Sequence, residues 1–436
     1  MLGLFKKSKK RICVIGLDGV PHSLLKVLMQ DGTMPAMAQL CGQGSLQQMK
    51  VTLPEISSVS WTSFMTGTGP GEHGIFGFLD LKPGTRQIRF PQWQDVKVPT
   101  MWDRLEKKGK RSVVINQPAT YPARRFPGIV VSGFVAIDLL KSVYPLRHLG
   151  DLKRAGYELD IDTHRARQDT RYLIDSLDSS LEGRRKALDL LWNAEDWDYF
   201  QMVVTGTDRL QHYLWNAIED TSHEYHSAVR AYYSKVDAFI AEIIEHYEKK
   251  VGSREQALAS LYLLSDHGFT GIKKEFNLNT WLRQEGYQDV AGEGSPSLET
   301  LTPESKAFAV DPSRIYFNRK GRFPEGTVED AAAEALAEEM SQKLLQIDCQ
   351  GEPVVKEVRL ARDVYSGPLV EQGPDLIVLT HYGYDAKGAM DKSEVLSDTD
   401  LAGMHTWDDA FFWSGERFKD ELNIVDLAAH FEAVLT

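Results

Sequence analysis

Cysteine is scarce in this chain. Cys13, Cys41 and Cys349 are the only three in 436 residues, and no CxxC pair occurs. That argues against both a disulfide framework and a thiolate zinc site, and unpaired thiols suit a reducing compartment. Long apolar runs are missing too. No stretch approaches the ~18 residues needed to span a bilayer. No apolar segment of signal-peptide length follows the basic start MLGLFKKSKKR, which reads as a short solvated tip. The expectation is a cytoplasmic protein without a transmembrane segment. Positive charge is in deficit, with 50 Lys and Arg against 62 Asp and Glu and a net charge of −12. An acidic chain is a poor partner for a nucleic-acid polymer, whose phosphates need clustered Lys and Arg to neutralise them. Neither an internal repeat nor a low-complexity tract is present.

What is there is ordinary globular composition, 42% hydrophobic and 26% charged, in a chain long enough for a large core. Five short apolar runs read as strands: Ile12 to Leu17, Ser112 to Ile115, Tyr199 to Val204, Leu261 to Leu264 and Leu376 to Leu379. Continuous apolar runs of this length suit strands covered on both faces, as in parallel sheets. Helical patterns lie between them at Ser23 to Met29, Met101 to Lys108, Leu173 to Trp192, His223 to Lys249 and Val328 to Leu345. The alternation predicts a layered α/β domain. Stretches rich in Gly, Pro and charge, near residues 82–98, 138–170 and 291–313, read as excursions. The expected organisation is one catalytic domain over 1–436, with inserted or cap segments at 135–195 and 284–370.

In open α/β sheets, ligands bind beyond the carboxyl ends of the strands. Asp18, Asp208 and Asp266-His267 lie at or just past such ends. Asp208 and His212 are spaced i, i+4 and share one helix face. Gly268 permits a tight turn after Asp266-His267. His405, in GMHTWDD, sits in a loop-like region. Ser57 follows Pro54 near a helix N-terminus, where free N–H groups favour an anion; the alternative reading is an N-cap serine. Taken together, Asp18, Ser57, Asp208, His212, Asp266, His267 and His405 supply three carboxylates, three imidazoles and one hydroxyl. Such N and O donors suit zinc, manganese or a similar cation in an open catalytic site. Two metals about 4 Å apart clamp the attacking and leaving oxygens of a phosphoryl displacement. His148, His164, His223, His226 and His246 read as surface residues, and His73 as structural within its Gly-Glu-His-Gly turn.

The sequence resembles the type I phosphodiesterase and nucleotide pyrophosphatase branch of the alkaline phosphatase superfamily, and within it a prokaryotic group of phosphohydrolases or mutases. The motifs VIGLDG (Val14 to Gly19), LPEISSVSWTSFMTG (Leu53 to Gly67), GEHGIF (Gly71 to Phe76), TDRLQH (Thr207 to His212), SDHG (Ser265 to Gly268) and GMH (Gly403 to His405) carry the likeness. They stand in the family's order over nearly the whole chain. The resemblance implies an alkaline-phosphatase-like three-layer sandwich: a mostly parallel sheet, helices on both faces and inserted cap segments. It implies two divalent cations, Zn²⁺ or Mn²⁺. Asp208, His212 and His405 match the ligands of one, and Asp18, Asp266 and His267 those of the other. Ser57 falls at the nucleophile position, bridging toward the metals and forming a phosphoseryl intermediate.

Two departures stand out. The nucleophile is serine where nucleotide pyrophosphatases carry threonine. Their phosphate-holding asparagine falls at Phe78 here. No C/S-x-P-x-R context for a sulfatase formylglycine surrounds Ser57. Arg209 is a candidate phosphate contact or surface ion pair. Trp61, Trp102, Tyr121 and Trp407 are candidate stacking surfaces or core packing. The leading function is hydrolysis of a small-molecule phosphomonoester or phosphodiester. A phosphomutase or phosphotransferase is the alternative, which requires a basic, water-excluding cap; TYPARR (Thr120 to Arg125) and Arg165, Arg167 and Arg171 are its candidate residues. A non-catalytic phosphate-ligand binder is the third.

Overall fold

The computed structural model describes residues 9–292 and 295–436; most of the basic N-terminal tip lies outside them. Eight strands form the main sheet: β1 (Ile12–Leu17), β2 (Ser45–Met49), β3 (Ser112–Gln117), β4 (Gly128–Ser132), β5 (Val143–Tyr144), β6 (Tyr199–Val204), β7 (Leu261–Leu264) and β8 (Ala410–Ser414). Their order is β2-β8-β7-β1-β6-β3-β4-β5. From β7 to β4 every pairing is parallel. Pairings toward the two edges are antiparallel.

Side chains along β1 divide between two cores. Cys13, Ile15 and Leu17 enter one, and Ile12 and Val14 the other, as the two-residue period of a strand demands. The helices Thr170–Leu191, Gly206–Glu219 and His226–Val251 bury Leu177, Leu210 and Ile240 in the first core. The helices Ser57–Thr66, Met101–Glu106 and Leu427–Leu435 bury Phe64, Trp102 and Phe431 in the second. With both faces covered, a continuous apolar run is what each central strand needs. The result is a three-layer α/β sandwich with a mostly parallel central sheet.

A second, antiparallel sheet joins Ala307–Val310, Arg314–Phe317, Leu376–Thr380 and Val355–Leu360. Leu376 to Leu379, whose apolar run suggested the parallel sheet, belongs here. Its residues alternate between two clusters, Leu376 and Val378 in one and Ile377 and Leu379 in the other. Coverage of both faces produces such a run whatever the strand direction. Residues 135–195 hold β5 and the helix Thr170–Leu191, and residues 284–370 hold three strands of the second sheet. His148 is buried and not at the surface, because the turn Leu146–His148 folds back against β5. No helix among the described residues is long and apolar enough to cross a membrane.

One buried ion pair fixes the second sheet to the motif-bearing segment after the Ser57 helix. Arg314 is fully buried, and its Nη1 donates to Asp80 Oδ1 at 2.9 Å. Asp80 Oδ2 in turn accepts the Phe76 N–H at 3.0 Å. Removing one partner of a buried pair strands the other charge. Asp80→Ala is therefore expected to cost about 3–5 kcal/mol of stability in urea unfolding. A loss below about 1 kcal/mol would show that the pair is not what holds this junction.

Candidate active site

Three elements of the main layer deliver five of the candidate residues. Asp18 follows β1 directly. Asp266 and His267 follow β7, and Asp208 and His212 lie on the helix that leaves β6. All therefore gather at the carboxyl ends of parallel neighbours. His405 arrives differently. The loop expected around it is a strand, Gly403–Thr406, paired antiparallel with Gly268–Gly271 so that His405 faces Phe269. That register sets the His405 ring against the His267 ring, with centroids 3.6 Å apart.

The carboxylates and imidazoles form two groups, Asp208, His212 and His405 beside Asp18, Asp266 and His267. Within each group the candidate donor atoms lie within 4.8 Å of one another. In the first, Nε2 of His405 and His212 are 3.2 and 3.4 Å from Asp208 Oδ1. In the second, His267 Nε2 is 3.5 Å from Asp266 Oδ2 and 3.6 Å from Asp18 Oδ1. Each imidazole Nδ1 faces a backbone carbonyl: Gly403 for His212, Glu55 for His405 and Gly268 for His267, at 3.1, 2.8 and 3.0 Å. With Nδ1–H donating there, the Nε2 lone pair of all three turns inward.

Ser57 joins the second group. Its hydroxyl donates to Asp18 Oδ1 at 3.2 Å, and His267 Nε2 lies equally close. Ser57 is the first residue of its helix; Ile56 occupies the N-cap position, so the N-cap reading of the serine does not hold. The first N–H bonded within this turn is that of Val59, to the Ile56 carbonyl. The Ser57 and Ser58 amides precede it, as in an anion-binding helix start.

The electrostatics of the cluster call for cations. Burial raises the Asp18 carboxyl well above its usual range, and the nearby Asp266 and Asp208 raise it further. Burial likewise pushes Asp266 up to about 7, and its buried Oδ2 has no hydrogen-bond partner. Burial also lowers the imidazoles, His267 to about 4 and His212 and His405 in the same direction. Deprotonated imidazoles beside crowded carboxylates are the donor state that divalent cations require. The residues fit such cations.

These observations decide the family. The type I phosphodiesterase/nucleotide pyrophosphatase sequence profile matches residues 12–408. The chain belongs to this family. It is thus a metal-dependent phosphoric ester hydrolase of the alkaline phosphatase superfamily. Similar folds include phosphonoacetate hydrolase from Sinorhizobium meliloti with phosphonoformate, at 15% identity and a TM-score of 0.64, covering 98% of this chain and 96% of that one. Murine ectonucleotide pyrophosphatase/phosphodiesterase 5 with AMP is 12% identical, with a TM-score of 0.57 and coverage of 98% and 95%. Alkaline phosphatase PafA is 13% identical, with a TM-score of 0.59 and coverage of 98% and 96%. No curated protein matches the chain.

The other sequence candidates fall in different places. Trp61 is fully buried, its ring against Gly16, where a Cβ would stand 2.6 Å from Trp61 Cη2. It cannot stack on a ligand; its indole N–H donates to Asp18 Oδ2 at 3.2 Å. Trp102 is buried in the second core. Arg209 lines the cavity at Ser57, about 200 Å³ in volume. It is tied to Asp160 at 2.6 Å and Asp208 at 3.0 Å. Phe78 lines the same cavity. Sequence reading missed Asp160, Phe134, Glu55 and the Asp385–Lys387 pair; all but Asp160 line this cavity, and none stands in a spaced donor pattern.

Carboxylate crowding has a measurable consequence without metal. Asp266 has a folded pKa above its unfolded value, so its ionisation destabilises the metal-free fold as pH rises from about 4 to 7. In chelator, Asp266→Asn should stabilise the protein at pH 7 by at least about 1 kcal/mol. That gain should shrink toward zero near pH 4. A gain that is absent at pH 7, or unchanged by pH, would contradict the crowding.

Proposed function

We propose that the protein cleaves a small-molecule phosphodiester or phosphomonoester by transfer of the phosphoryl group to Ser57. Asp208, His212 and His405 would hold one divalent cation. Asp18, Asp266 and His267, with Ser57 Oγ, would hold a second. Zn²⁺ suits this N and O donor set, and Mn²⁺ is an alternative. When bound, such cations make the serine oxygen a better nucleophile and offset charge on the phosphoryl oxygens. The observation that carries the reading is the position of Ser57 Oγ, 3.2 Å from Asp18 and from His267 at the start of a buried helix.

The remaining roles follow from the chain's own contacts. The carbonyls of Gly403, Glu55 and Gly268 hold the three imidazoles in one tautomer. Trp61 and the Gly19 N–H, the latter 3.1 Å from Asp266 Oδ1, orient the carboxylates of the second group. Arg209, bound to Asp208 and Asp160, orients Asp208 and itself lines the cavity. The helix amides at Ser57 and Ser58 favour phosphoryl oxygens at the nucleophile. As the Ser57 Oγ–P bond forms, the P–O bond to the ester alcohol breaks and the alcohol leaves with a proton. Water then attacks the phosphoserine, the Oγ–P bond breaks, Ser57 regains its proton and phosphate or a phosphate monoester departs.

Hydrolysis is favoured over intramolecular transfer. Arg124 and Arg125 are paired with Asp103 and Glu106, so they build no basic cap over the cavity. We read the chain as one catalytic domain with the second sheet as an insertion. Its free cysteines support a cytoplasmic setting.

Ser57→Ala should lower kcat on aryl phosphate esters by on the order of 10³-fold or more. Acid quenching during turnover should trap phosphate on the Ser57 peptide, detectable by mass spectrometry. Turnover equal to wild type, or phosphate trapped elsewhere, would refute the nucleophile. Exhaustive chelation should abolish turnover and Zn²⁺ or Mn²⁺ restore it; activity that survives complete metal removal would refute the cation sites.

A further inference from the structure

Two phenylalanines that line the cavity, and a third packed against one of them, belong to none of the core clusters of the described residues. Phe78 and Phe134 line the cavity beside Ser57 and remain half-buried. Their rings are stacked, with centroids 5.4 Å apart and planes within 1°. Phe90 meets Phe78 edge-on at 5.2 Å and is 56% exposed. The series Phe134, Phe78, Phe90 is therefore a continuous apolar track from the Ser57 cavity to the surface.

The inner end of the track is held in place. The Arg209 guanidinium lies 4.3 Å from the Phe134 ring centroid, an attractive cation–π distance. The same group is fixed by Asp160 and Asp208. Its charge is thus committed within the protein, and the wall presents ring surface to an entering molecule. A second phosphate lying on three rings would lose hydrogen bonds to water without replacing them. A hydrocarbon group would gain by leaving water, and would cover apolar surface that the fold leaves open.

We propose that this track receives the hydrocarbon part of an amphiphilic phosphate ester whose phosphoryl group lies at Ser57. This rests on the assignment of Ser57 as the phosphoryl site. The occupant is an apolar ester substituent, either an alkyl chain or an aryl ring, and Phe78, Phe90 and Phe134 determine its selection.

Isothermal titration calorimetry of the Zn²⁺-loaded protein with methylphosphonate, phenylphosphonate and octylphosphonate reads this without turnover. Each methylene buried on the rings is worth roughly fourfold in affinity. Octylphosphonate should therefore bind at least about tenfold tighter than methylphosphonate. Phe90→Ser and Phe134→Ser should each weaken octylphosphonate more than methylphosphonate. Phe90 is exposed enough that its loss leaves the fold intact, so that variant stands even where Phe134→Ser does not fold. Phenylphosphonate binding tightest, with the same sensitivity to substitution, supports the track with an aryl occupant. Equal affinity across the series, or a preference that survives both substitutions, overturns the track and leaves the phosphoryl site standing. No binding by any of the three, with zinc present, overturns the phosphoryl site and the track together.

Discussion

Three carboxylates, Asp18, Asp208 and Asp266, are crowded into the interior at the carboxyl ends of adjacent strands, and each is at least 95% buried. In a low-dielectric interior, like charges at this spacing cannot all be ionised without compensation. The chain supplies part of it. Burial opposes ionisation of Asp208, but the Arg209 guanidinium, 3.0 Å away, favours its ionised form. At Asp18, burial and the neighbouring Asp266 and Asp208 outweigh what His267 and Arg209 offset, and burial likewise raises Asp266. The uncompensated charge suits the site to divalent cations, and the Ser57 hydroxyl lies beside it.

Such an arrangement is tolerable only if the surroundings are rigid. The Trp61 indole and the Gly19 amide anchor two of the carboxylates. Gly19 itself adopts φ +69°, and a side chain there would crowd His267 at 3.0 Å. Backbone carbonyls fix each imidazole, so donor directions are set before any cation arrives. His73, nearby, shows the contrasting case. It is fully buried and held low, at about 3, by that burial. Its Nε2 lies 3.0 Å from the Ser63 hydroxyl, and the Ile75 N–H donates to its Nδ1. It is a structural histidine that pins the turn after the Ser57 helix.

Specificity lies on the other wall. Phe78 stands there, and its ring stacks on Phe134 from a distant segment. Aromatic surface and a neutralised arginine replace polar donors on that side of the cavity. The reacting centre and the selecting wall are thus built from different materials: charge and fixed dipoles on one side, ring faces on the other.

The meeting of the candidate donor residues was legible from sequence because their signals are local. Each of Asp18, Asp208 and Asp266-His267 follows an apolar strand run, and chain direction alone then puts them at one end of a parallel sheet. The main helices were legible for the same reason. What no local pattern decided was pairing. Leu376 to Leu379 has the apolar run of a central parallel strand, yet it pairs antiparallel in the second sheet, because burial on both faces is all that such a run encodes. His405 looked like a loop residue until its strand paired with Gly268–Gly271. Trp61 was a candidate ligand contact until packing against Gly16 put it beneath the site. Phe134, Glu55 and Lys387 reach the cavity from segments far apart in sequence, and such meetings depend on which surfaces pack together. The sequence by itself determined the site's chemistry through residue type at strand ends. The tertiary structure alone decided its walls, because contacts between distant segments are energetic outcomes of the whole core.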